Sequence, residues 1–164
     1  MLNHHRDRNL IAAIHAYQRH RHASGLLSRS MCGWAKFRHA FWSALTGSDI
    51  SRDARIAASA SFPHLTGVVI HQEAVVGEDC MIMQQVTIGQ TALPGAPTIE
   101  RGAYLGAGAK VLGAIRIGQN ARVGANAVVL DDVPDDATAV GVPARIATPK
   151  AFEAQDHVRV APKG

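Results

Sequence analysis

Histidine is the side chain whose ordinary pKa best suits proton transfer near neutral pH, and between residues 49 and 146 the chain has two, His64 and His71. His64 lies in Phe62-Pro63-His64-Leu65-Thr66-Gly67, a stretch that interrupts an otherwise regular repeat, whereas His71 lies back inside the repeat. A lone histidine on such a surface break is more often merely solvated, so the irregular setting alone leaves His64 as one of two candidates. The two are seven residues apart, and a three-histidine zinc site would need a third ligand from the N-terminal arm, so no metal is expected. Cys32 and Cys80 suggest no disulfide framework, and Cys80 falls on a small inward repeat position suited to packing.

The element that must position these groups is the repeat itself. An aliphatic or aromatic residue returns every sixth position at Ile50, Ile56 and Phe62, then at Ile70, Val76, Ile82 and Ile88, then without a break from Ile99 through Leu105, Val111, Ile117 and Val123 to Val129. A small residue follows four places later in most hexads. A period of six is neither helical nor simply strand-like. Each hexad can supply a short strand that turns its first and fifth residues inward, while Gly, Asn or Asp between them tolerates the positive φ of a corner. Three hexads close a triangular coil, and stacked coils share one narrow apolar core. The expected fold is therefore an all-β repeat, a parallel β-helix over residues 49–146. Two breaks interrupt the period: Phe62 to Ile70 spans eight residues, and Ile88 to Ile99 spans eleven, the latter an extruded loop. Insertions in repeat arrays often carry function.

Residues 1–48 differ in kind. They hold seven Lys/Arg against one acid, +6, while residues 49–164 hold ten against twelve, −2. Leu10, Ile11, Ile14 and Tyr17 recur at helical spacing, as do Leu27, Met31, Trp34, Phe41 and Leu45, with Gly25 as the break. This predicts a short, basic, amphipathic helical hairpin. It is expected to cap the open first coil or help copies associate, with peripheral contact to an anionic membrane as the other reading. Nucleic-acid binding is not expected, because no recognised motif accompanies the charge. No run of eighteen apolar residues and no signal-type core is visible, so a cytoplasmic location is expected. Pro134 and Pro143 are expected to stop the strand ladder, leaving a short C-terminal tail at 147–164.

Asp49-Ile50, His64-Leu-Thr-Gly-Val-Val, Gln85-Val-Thr-Ile-Gly89, Ile99-Glu-Arg-Gly, Gly106-Ala-Gly-Ala-Lys110-Val-Leu-Gly113 and Gly141-Val-Pro-Ala-Arg-Ile146 together set a more specific pattern than hexads alone. The stretch 49–146 resembles the serine acetyltransferase branch of the hexapeptide-repeat acyltransferases, which fold as left-handed β-helices. The resemblance implies left-handedness, acetyl transfer from acetyl-CoA to an acceptor hydroxyl, and a homotrimer with donor sites between neighbouring prisms. It implies His64 as general base and Asp49 as the carboxylate that orients it. By position it implies donor contacts at Gln90, Thr91, Ala107 and Ala125. Lys110, Arg116 and Arg122 end successive hexads and are candidate partners of the CoA phosphates.

Three departures bear on the acceptor. Serine-specific members hold the amino acid's charged groups with an acid before the catalytic histidine and an Arg-His pair in the extruded loop; here Pro63, Gly95 and Ala96 stand there. The long N-terminal helical domain of the enterobacterial enzymes is reduced to the hairpin. A sugar hydroxyl of a polysaccharide or glycan precursor is accordingly expected as acceptor, with L-serine O-acetylation in cysteine biosynthesis as the alternative and a non-catalytic trimeric scaffold as the reading from another class. The sequence ends Ala161-Pro-Lys-Gly164 rather than in isoleucine, so no complex with cysteine synthase is expected.

Overall fold

The computed structural model describes residues 6–147; the tail residues 148–164 lie outside the described residues. Two helices, α1 (Arg6–His20) and α2 (Leu26–Thr46), precede fourteen short strands. Gly25, at φ 115°, separates the helices, and Gly47 ends α2 in the left-handed region while its N–H donates to the Ser43 carbonyl.

The strands form three sheets, parallel except for the last strand, one for each side of a triangular prism. Sheet A stacks β1 (Asp49–Ile50), β3 (Val69–Ile70), β6 (Thr87–Gly89), β9 (Lys110–Leu112) and β12 (Val128–Val129). Sheet B stacks β2 (Arg55–Ile56), β4 (Val75–Val76), β7 (Thr98–Ile99) and β10 (Arg116–Ile117). Sheet C stacks β5 (Met81–Ile82), β8 (Tyr104–Leu105), β11 (Arg122–Val123), β13 (Thr138–Val140) and β14 (Arg145–Ile146). The register places like on like: Ile50, Ile70, Ile88, Val111 and Val129 form one inward column. Val76, Ile99 and Ile117 form the second, and Ile82, Leu105 and Val123 the third. Every one of these residues is buried. Ala54, Ala74, Cys80, Val86, Ala103, Ala109, Ala121 and Ala127, the fifth hexad positions, complete the core. Burial of this kind stabilises at roughly 25 cal/mol per Å² removed from water.

Corners explain why the sequence needs Gly, Asn and Asp where it has them. Gly67, Gln85, Gly108 and Asn126 take positive φ at successive C-to-A corners, and Asp79, Gly102, Asn120 and Asp136 do so at successive B-to-C corners. Gly106 is required for another reason. A Cβ there would lie 2.7 Å from the Ala125 nitrogen of the next coil.

The prism's two ends are closed differently. At the base, α1 inserts Leu10, Ile11 and Ile14 into the same core, while Gln18 Nε2 donates to the carbonyls of Arg52 and Ala54 and His15 Nε2 meets that of Ile56. Of the readings of the basic arm, capping of the first coil is thus visible in α1. At the top, Pro134 does not stop the ladder as its type suggests. It occupies a corner, where no ladder N–H is needed, Val133 still bridges to Ile117, and β13 still pairs in parallel with β11. Only β14, beyond Pro143, turns antiparallel against β13 and covers that edge.

Candidate active site

Sheet A and its two flanking corners carry most of the candidate residues. Asp49 opens β1 and is exposed on the outer face, in register with Val69 above it. His64 is exposed in the widened C-to-A corner that leads into β3, a segment pinned by Gly67 N–H to the Gly47 carbonyl and by Gln85 N–H to the Thr66 carbonyl. The two therefore lie along one edge of sheet A, about a coil apart. No hydrogen bond or ion pair joins their side chains. Asp49 instead acts electrostatically on His39, whose Nε2 lies 2.8 Å from the Ile50 carbonyl. Burial, aided by the Arg52 charge, pushes the His39 imidazole below its ordinary value, against the opposing pull of the Ile50 carbonyl and Asp49.

An open groove of about 380 Å³ runs over the lower part of this face, lined by Asp49, Ser51, Val69, His71, Gln72 and Gly89, among others. His71 and Ser51 stand on the A-to-B side of it, opposite the His64 edge. His71 Nδ1 accepts weakly from the Glu73 N–H at 3.3 Å. The sequence shows His71 but gives no signal that it shares a groove with Asp49, because that depends on which hexads fall on which side.

The donor candidates separate by corner. Ala107 and Ala125 occupy successive C-to-A corners, linked by Asn126 N–H to the Ala107 carbonyl at 2.8 Å, in the same corner column as His64. Lys110 opens β9 beside them and donates from Nζ to the Gln85 carbonyl at 2.8 Å. Gln90 and Thr91 are in the extruded loop at the opposite, A-to-B corner, where Gln90 Nε2 donates to the Leu93 carbonyl and Thr91 Oγ1 accepts from the Leu93 N–H.

The three hexad-ending cations do not form a set within one protomer. Since a coil has three sides, consecutive hexads face three ways: Lys110 is on sheet A, Arg116 on sheet B and Arg122 on sheet C. Arg122 lies over the Tyr104 ring, 4.7 Å from its centroid. Arg116 is committed elsewhere, with two bonds to the Glu100 carboxylate at 2.6 and 2.7 Å and a third to Asp135 at 2.7 Å. This network holds the Asp135 carboxyl below the usual carboxylate range, first through the Arg116 hydrogen bond and then the Gln119 N–H. Arg116 thus staples neighbouring coils together. Among the described residues, no three His, Cys, Asp or Glu side chains come together as a metal site.

Residues 96–131 match a family model described as bacterial transferase hexapeptide (six repeats). Over 136 residues, 81% of this chain and 59% of the relative, the chain is 43% identical to a serine acetyltransferase of Mycobacterium tuberculosis. Among solved structures, a serine acetyltransferase in complex with CoA superposes with a TM-score of 0.68 at 38% identity, covering 82% of this chain and 55% of that one. A soybean serine acetyltransferase complexed with serine gives 0.70 at 39%, covering 84% and 56%. The chain thus spans little more than half the length of these relatives. Their architecture supplies the hand of the solenoid, which is left-handed.

Proposed function

From its place in the hexapeptide-repeat transferase family, to which the chain belongs, we propose that it is an acyltransferase moving acetyl from acetyl-CoA to a hydroxyl of a small acceptor, and that the acceptor is L-serine. The observation that carries this is the position of His64, exposed at an irregular corner in the same column as Ala107 and Ala125. An acceptor hydroxyl over the Asp49 groove would attack the thioester carbonyl as His64 takes its proton. Collapse of the tetrahedral intermediate then expels the CoA thiolate, which recovers the proton from the imidazolium. Asp49, on the same edge of sheet A, stabilises that imidazolium in the role of an orienting carboxylate. Pantetheine runs along the C-to-A corner, where small residues leave main-chain groups accessible.

The sugar acceptor expected from Pro63, Gly95 and Ala96 finds no support among the relatives, which are serine acetyltransferases. Those three positions still lack charge, so serine's ammonium and carboxylate need other partners. His39 does not supply the positive one, since burial favours its neutral form. A CoA-release assay with L-serine, homoserine, free sugars and nucleotide sugars at equal concentration tests the acceptor. Saturable turnover of L-serine with inert sugars is expected. Turnover of a sugar with inert L-serine reverses the acceptor and leaves the transfer chemistry standing, whereas the absence of CoA release with every acceptor, together with no acetyl-CoA binding, favours a scaffold.

The distribution of candidates also supports a homotrimer. Lys110 and Arg122 point out from different sides of one prism, and packing prisms side by side brings a C side of one copy to an A side of the next, completing a donor groove that each copy half supplies. Activity is therefore expected to follow assembly. Light scattering coupled to the assay should find turnover only in the trimeric fraction, and a fully active monomer defeats the shared site.

A further inference from the structure

Helix α2 turns its large apolar side chains away from the prism that it helps to cap. Its inner face is made largely of small or polar residues, with Ala35 and Thr46 buried, His39 half-buried and Trp42 packed against the core. On the outer face Leu26, Leu27, Trp34, Phe37, Phe41 and Leu45 are between 49% and 83% exposed. The Trp34 and Phe37 rings stack on each other at 5.6 Å, and both are more than half exposed among the described residues. A contiguous exposed patch of this kind on a soluble fold marks an interaction surface. It is a straight strip: 21 residues at about 1.5 Å each make a strip about 30 Å long.

The charges beside it choose the occupant. Helix α2 contains no Asp or Glu, and carries Arg29, Lys36 and Arg38. Arg29 and Arg38 make no ion pair among the described residues, and Lys36 lies over the Tyr17 ring at 5.8 Å. Pairing two copies of α2 face to face would bring these cations together with no carboxylate on the helix to neutralise them. An anionic lipid surface meets both features at once: aromatic and leucine side chains enter the headgroup boundary while the arginines and lysine meet the phosphates. No described helix is long and apolar enough to cross a membrane, so α2 would lie in the interface plane. We propose that the outer face of α2 docks the protein onto an anionic lipid bilayer, holding the prism at the membrane surface.

The test uses the full chain with phosphatidylcholine vesicles and with vesicles that also contain phosphatidylglycerol. Sedimentation is expected to show at least about tenfold stronger binding to the anionic vesicles, weakened by salt. The tryptophan emission should shift to the blue on binding, and the shift should vanish in Trp34→Phe. Phe37→Glu combined with Phe41→Glu should abolish binding without changing the circular dichroism melt, because both side chains are exposed. Equal failure to bind either vesicle overturns the proposal, as does binding that survives the double Glu variant. If the protein ignores vesicles and the same variant lowers its mass in light scattering, the face belongs to a second copy and the lipid reading falls.

Discussion

His64→Ala is expected to lower kcat about 10²- to 10⁴-fold, the usual contribution of a positioned general base, while the fold and its melt stay as they were. The reason for the size is chemical. A hydroxyl is almost wholly protonated at neutral pH, so attack on the thioester without a base must develop positive charge on oxygen. The reason for the intact fold is structural: His64 is exposed at a corner and is absent from the apolar core. Asp49→Asn keeps the shape and hydrogen-bonding capacity of the side chain but removes the charge that favours an imidazolium, so it should also cost kcat, by less. Steady-state kinetics with acetyl-CoA and L-serine read both variants. Full turnover in His64→Ala removes the histidine from the mechanism and directs attention to His71, across the groove.

Ile99→Ala is expected to lower the unfolding free energy by about 2 to 5 kcal/mol, the range for truncating a buried isoleucine. Ile99 is 0% exposed and lies between Val76 and Ile117 in its column. A solenoid's stability is held in the interfaces between neighbouring repeats, so a cavity in a middle coil weakens the contacts above and below together. Leu93→Ala is the control. Leu93 is 73% exposed in the extruded loop, and its loss should stay within about 0.5 kcal/mol. Chemical denaturation midpoints decide between them, and equal costs at the two positions mean that the column is not the main source of stability.

Residues 49–146 announced their architecture because each hexad writes the same local instruction. An inward Ile or Val, a small residue four later and a Gly, Asn or Asp at the corner are choices made within six residues, and they survive translation into structure at nearly every coil. The helices were legible for the same reason, since a period of three to four is local. What the sequence hid was the side of the prism to which each hexad belongs. Lys110, Arg116 and Arg122 look equivalent on a line, yet they face three ways, and Arg116 finds its acids sixteen residues before it and nineteen after it. His71 looks ordinary on a line because it sits inside the regular repeat, although the coil brings it into a groove with Asp49. The second helix shows the complementary limit. Periodicity marked Leu27, Met31, Trp34, Phe41 and Leu45 as one stripe but could not tell an inward stripe from an outward one; the structure turns it outward.

The two interruptions of the period lie on opposite edges of sheet A, one opening the His64 corner and the other extruding the loop at Gln90, and the register of the stacked columns passes both unchanged. Lengthening or recomposing either segment therefore leaves every inward residue on its neighbour. This uncouples two kinds of sequence change. The two segments can vary in length and composition while the ladder keeps its stacking, so a prism of this design can alter the surface beside its groove without first relearning how to fold.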